Sequence, residues 1–281
     1  MRVTDIRIAR LLASAAVIAV VGAILAGCKT IQDTDTTGSL GTPTPRNEQE
    51  WRREADVWGA RHRANPDDPQ ATIEYAQALR MTGQRAQAAA VLEQASIRHP
   101  HNRALLGAYG RALADTGRFQ QALDVLNRAH TPEQPDWRIL SVQGAVLDQM
   151  GRHQDAQRYY GTALRIHPNE PSVLSNLGLS YALSKDLARA EQTLRQAAAQ
   201  KPIDPRVRQN LALVVGLQGR FADAEAIARA DLPPDEAAAN VASLRQMLAE
   251  QKDRDAKRPP PRRGQRARPG AIGSQPGGGR G

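Results

Sequence analysis

Residues 137–170 read WRILSVQGAVLDQMGRHQDAQRYYGTALRIHPNE, a stretch whose landmarks recur along the chain at an interval equal to its own length. Gly151 belongs to a series with Gly83, Gly117 and Gly219, and Lys185 stands at the one missing step. Ala156 belongs with Ala88, Ala122, Ala190 and Ala224, and Ala163 with Ala95, Ala129 and Ala197. Pro168 keeps step with Pro66, Pro100 and Pro202, while Pro135 comes one residue late. A period this long, about 34 residues, marks a repeat array, in which each unit buries its apolar face against the next. Within a unit the apolar residues fall at helical spacing on two segments, for example 71–81 and 84–98. The glycine stands where the first helix must stop and reverse, which suits a left-handed C-cap. The alanines mark places where helix backbones approach closely, and the proline ends the second helix because it has no N–H to donate.

These marks resemble the tetratricopeptide repeat (TPR). Leu140, Gly144, Leu147, Gly151, Ala156, Tyr160, Ala163 and Pro168 occupy the signature positions of that family. The aromatic residue usual at the first of them is absent, since Thr72, Leu106, Leu140, Leu174 and Arg208 stand there. The resemblance implies an all-α TPR solenoid, a right-handed superhelix of helix-turn-helix repeats. The units run 69–102, 103–136, 137–170, 171–204 and, in degenerate form, 205–234. A lone repeat helix at 49–66 precedes them. A capping helix over 235–251 follows, with Val241, Leu244 and Leu248 on one face and Asp235 as N-cap. About twelve helices are expected: one, five pairs, and one.

The ends of the chain differ in kind. The formal charge of +9 resolves into +2 over 1–27 and +7 over 252–281, which leaves residues 28–251 neutral. A basic pI arising this way does not mark a nucleic-acid-binding domain, and ten aromatics are few for base stacking. Arg2, Arg7 and Arg10 precede the uncharged run LLASAAVIAVVGAILAG at 11–27, the layout of an export signal. The run ends Leu25-Ala26-Gly27-Cys28, which matches the bacterial lipobox. That resemblance implies cleavage of 1–27 and lipidation of Cys28, the only cysteine of the chain. An uncleaved anchor helix is the other reading, though the run 11–27 falls short of the roughly 20 apolar residues that a span wants. Lys29 follows, not the Asp of inner-membrane retention, so the expected location is the periplasmic face of the outer membrane. Residues 28–48 read as a flexible tether. The tail 252–281, rich in Arg, Pro and Gly, reads as disordered, either a solvated end or a contact for anionic surfaces.

No G-x-x-x-x-G-K-[ST], H-E-x-x-H or G-x-S-x-G motif occurs. His99 and His101 flank a repeat boundary and read as solvated loop residues, and Asp67-Asp68 and Asp235-Glu236 suit helix starts. The expectation is no catalytic site, no metal and no cofactor. The TPR pattern projects Gln77, Arg80, Arg111, Arg138, Asn176, Arg206 and Asn210 onto the concave wall. There they suit hydrogen bonding to a peptide, or serve simply as a solvated face. The paired Lys/Asn arrangement of chaperone-binding TPR clamps is missing.

The lipobox, the spacer and the five units together resemble the TadD-type lipoproteins of tight-adherence (Flp) pilus assembly. Residues 207–248 (VRQNLALVVGLQGRFADAEAIARADLPPDEAAANVASLRQML) and 126–153 (LNRAHTPEQPDWRILSVQGAVLDQMGRH) carry that likeness. It implies a pilotin-like binding protein whose partners are a secretin or other Tad pilus components, with the membrane reached through Cys28 and no nucleic acid bound. Two other readings stay open, a scaffold that recruits peptidoglycan hydrolases and an envelope enzyme with an unrecognised site. Pull-down from solubilised envelopes separates the pilus reading from the scaffold: a secretin in one case, murein enzymes in the other.

Overall fold

The computed structural model describes residues 48–257, with side chains through residue 254. The export signal, Cys28 and the tail from 258 onward lie outside the described residues. Among the described residues there are twelve helices and no strand. Helix α1 (Glu48–Ala64) stands alone. The five pairs are α2 (Pro69–Met81) with α3 (Arg85–Arg98), α4 (Arg103–Asp115) with α5 (Phe119–Leu126), α6 (Trp137–Gln149) with α7 (His153–Ile166), α8 (Pro171–Leu183) with α9 (Leu187–Ala198), and α10 (Pro205–Leu217) with α11 (Phe221–Ala228). The array closes with α12 (Pro234–Lys257).

The first helix of each pair is set by local chemistry. Asp68, Asn102, Asp136, Glu170 and Asp204, one per repeat, each accept a hydrogen bond from a backbone N–H of the first turn that follows. Pro69, Pro171 and Pro205 take the first helical position, where a missing N–H costs nothing. At the other end the chain reverses through a left-handed residue. Gly83, Gly117, Gly151 and Gly219 have φ between 73° and 82°, and Lys185 adopts φ 66° in the same place. The following N–H then closes back on the helix: Gln84 on Leu79 O, Arg118 on Leu113 O, Arg152 on Leu147 O, Asp186 on Tyr181 O and Arg220 on Val215 O.

Packing follows from side-chain size at the repeat positions. Ala88, Ala122, Ala156, Ala190 and Ala224 are all fully buried. Gly144 faces Tyr160, and a Cβ on that glycine would lie 2.6 Å from the ring. In the fifth pair both facing positions hold alanine, Ala212 and Ala228, which together bury Ala237 of the closing helix. One continuous core runs from Ala76 on α2 to Leu177 on α8. Beyond it the core divides into three smaller clusters.

Two features depart from the sequence expectation. The closing helix begins at Pro234 and reaches Lys257, so Asp235 lies inside its first turn and is not its cap. Residues 252–257, expected to be disordered, continue that helix because QKDRDAK holds no Gly or Pro before Pro259. Arg208, at a position that is apolar in most other units, turns its guanidinium onto the Asp231 carboxylate beyond the short helix α11. No helix among the described residues is long and apolar enough to cross a membrane.

Candidate functional site

Each inner helix (α2, α4, α6, α8, α10) buries one side against its partner. A residue two positions on lies about 200° round the helix and so faces away from that core. On α8, Leu177 is buried and Leu179 is only half-buried; on α10, Leu211 is buried and Leu213 is half-buried. This second side of the five helices makes the inner wall of the solenoid.

The polar residues projected onto that wall have varied surroundings. Arg80 is nearly buried and ion-pairs with Asp115 of α4. Asn176 donates to Ser141 Oγ at 3.4 Å, and Asn210 to Ser175 Oγ at 3.0 Å. All three contacts join residues 35 apart, one inner helix to the next, so these side chains serve as rungs between repeats. Arg206 folds back on its own N-cap, with Nη2 at 2.7 Å from Asp204 Oδ2. Burial alone would raise the Asp204 pKa, but hydrogen bonds from Arg206 outweigh it and the carboxyl is held below its ordinary value. Arg138 is exposed at the start of α6, its guanidinium 4.6 Å from the centre of the Trp137 ring. Gln77 and Arg111 are half-buried on α2 and α4.

What the wall offers besides is apolar and lies outside the projected polar set. Leu179 and Leu183 on α8 and Leu213 and Leu217 on α10 are half-buried, and they are not among the side chains packed against the core clusters. Their signal was present in the sequence: two i, i+4 pairs one repeat apart, out of phase with the buried residues. The wall thus passes from polar and ion-paired on α2 and α4 to leucine-rich on α8 and α10.

Two polar clusters lie inside the array. Asp148 accepts from Tyr160 OH at 3.1 Å and from Ser180 Oγ at 2.8 Å, and its Oδ1 lies 2.8 Å from His153 Nδ1. Burial first, then the Asp148 charge, push the Tyr160 phenol well above its ordinary pKa. Ser180 Oγ donates to the aspartate and, at 3.5 Å, to the His153 carbonyl but not to the imidazole, so the cluster is not laid out as a nucleophile with its base. Gln143, fully buried, joins Asn127 at 2.8 Å and His130 at 3.1 Å. His99 departs from the solvated reading, being half-buried with its Nε2 buried and unpartnered, because α3 ends against the next repeat; His101 is exposed. No group of three or more His, Cys, Asp or Glu among the described residues is placed to hold a metal ion.

The tetratricopeptide repeat family matches residues 79–144 and again 149–214, and a second repeat profile of the same description matches 205–230. Together these cover more than half of the chain. No curated protein matches it in sequence. Among solved structures, PilW, described as a widely conserved type IV pilus biogenesis factor, superposes with a TM-score of 0.60 at 17% identity, over 69% of this chain and 91% of PilW. A tetratricopeptide repeat protein from Parabacteroides merdae gives 0.55 at 16% identity, over 74% of this chain and 83% of its own. The Cut9–Hcn1 assembly of the APC/C gives 0.59 at 14% identity, over 72% of this chain but only 40% of that one. At these identities the likeness is one of fold.

Proposed function

The chain belongs to the tetratricopeptide repeat family, and we propose that it is a lipid-anchored, non-catalytic scaffold of the outer membrane that holds a secretin subunit or other component during Tad (Flp) pilus assembly. The observation that carries the binding role is the unbroken inner wall of five helices, in register and ending in four half-buried leucines. A wall of this kind suits an extended or helical segment of another protein. The location rests on the lipobox ending at Cys28 and the pilus role on the TadD-like segments; the fold shared with PilW is consistent with that role. In that role the lipid on Cys28 would hold the solenoid beside the membrane and raise the local concentration of its partner.

A photoreactive residue at Gln77 or Leu213 in living cells tests this. The expected product is a crosslink to a secretin subunit, lost in the unlipidated Cys28→Ser chain, together with missing surface pili in a deletion strain. Normal secretin assembly and adherence in that strain would overturn the pilus role. A crosslink to murein hydrolases would favour the envelope scaffold instead.

A further inference from the structure

Helix α5 stops at Leu126 after 8 residues, whereas α3 and α7 each run 14. The chain covers the gap with the connection 127–136, pinned by a bridge between Thr131 and Gln134 and by Arg103 Nη1 donating to Gln134 Oε1 at 2.6 Å. Between this connection and the starts of α4 and α6 lies a cleft of about 540 Å³. That size accommodates a few side chains of a ligand.

The lining has two characters. Pro135, Trp137 and Ile139 give it an apolar side, and the Trp137 ring lies 4.6 Å from the Arg138 guanidinium and 4.9 Å from the His167 ring. Arg103 and Arg138 give it two exposed cations, and neither makes an ion pair among the described residues. The one acid in the lining, Asp136, is occupied as the N-cap of α6, accepting from Arg138 N at 2.8 Å. Two cations therefore meet one committed carboxylate in a cleft that is apolar on one side only, on the rim formed by helix starts and apart from the inner-wall leucines.

We propose that this cleft is a second binding site, which takes a carboxylate flanked by an apolar side chain from a protein partner. Arg103 and Arg138 grip the carboxylate through paired N–H donors, and Pro135 and Trp137 receive the apolar neighbour. The carboxylate is that of an internal Asp or Glu in a segment of the partner. The site shares Arg138 with the projected inner wall but uses none of its leucines and needs no pilus component as partner, so it stands or falls without the pilus reading.

The test uses the full chain, kept in mild detergent and carrying fluorotryptophan, because Trp51 and Trp58 on α1 serve as internal references for Trp137. The probes are acetyl-Gly-Leu-Glu-Leu-Gly-amide, its Gln counterpart, and acetyl-Gly-Gly-Leu with a free or an amidated end. The expected result is a shift of the Trp137 resonance alone, with binding about tenfold weaker for the neutral peptides and weakened as salt rises. Arg103→Ala or Arg138→Ala lowers affinity about five- to tenfold, while Arg85→Ala, on the exposed start of α3, leaves it unchanged. A shift with the free-ended acetyl-Gly-Gly-Leu and none with the internal Glu peptide would overturn this assignment. Equal binding of the acidic and neutral peptides, an unmoved Trp137 resonance, or full affinity in Arg138→Ala would overturn the proposal.

Discussion

The segment from α2 to α8 and the segment from α9 to α12 follow one repeat lattice yet are held together differently. The first carries a single continuous core with two deeply buried tyrosines, Tyr109 and Tyr160. The second divides its core into small clusters of Ala, Val and Leu and contains no buried aromatic among the described residues. Its own polar ties are Arg208 to Asp231 and a buried Glu191 that accepts from Gln218 at 2.9 Å and Arg220 at 2.8 Å. An array is stable through its nearest-neighbour interfaces, so equal spacing does not mean equal stability. The leucine-rich part of the inner wall straddles the boundary, with Leu179 and Leu183 on α8 and Leu213 and Leu217 on α10.

The largest expected effect tests that contrast directly. Tyr160→Ala should cost about 3–5 kcal/mol and loosen the whole α2–α8 block, because it empties a fully buried site in the continuous core. Leu244→Ala, which removes the side chain seated on Gly216, should cost about 2–4 kcal/mol and release α12 alone. Hydrogen exchange read helix by helix checks both; the same loss of protection in both variants would break the comparison. Next, Asp148→Ala should cost about 1–3 kcal/mol in urea denaturation, since it leaves the Tyr160 hydroxyl buried without an acceptor and Ser180 with only the distant His153 carbonyl.

Acid should act first on the second segment. Burial pushes the Glu191 carboxyl up, but hydrogen bonds from Gln218 and Arg220 and the nearby Arg195 charge outweigh it and hold its pKa below the ordinary 4.5. A depressed folded pKa gives stability that is complete above 4.5 and is lost as pH falls through the folded value. Glu191→Gln should therefore cost about 1–2 kcal/mol near neutrality and flatten the loss of stability below pH 4.5, measured as thermal midpoint against pH. An unchanged acid limb would show that Glu191 does not tie α9 to the fifth pair. The smallest effect is a gain. Lys185→Gly should stabilise the array by about 0.5–1 kcal/mol, because a side chain at φ 66° is strained where the other four units use glycine.

Much of the helical frame could be read from the chain. The N-caps from Asp68 to Asp204, the reversals at Gly83, Gly117, Gly151 and Gly219, and the buried alanines each keep the repeat period, and each is a local requirement of backbone geometry or close approach. The end of α12 could be read less well, because nothing in QKDRDAK opposes a helix and only the later prolines limit it. The site was harder still. Arg80, Asn176 and Asn210 carry the right chemistry for a groove, but their commitments are to side chains 35 residues away.

The sequence by itself determined the period, the helix ends and the positions that admit only small residues, since these follow from backbone dihedrals and from hydrogen bonds within a few residues. Tertiary structure alone decided which polar groups stay available and which are spent between repeats. It also decided that the shortened α5 opens a cleft beside Trp137 and that four leucines remain half-covered on the inner wall. The physical reason is that a side chain's availability depends on neighbours delivered by packing across a whole repeat, and no window of local sequence contains them.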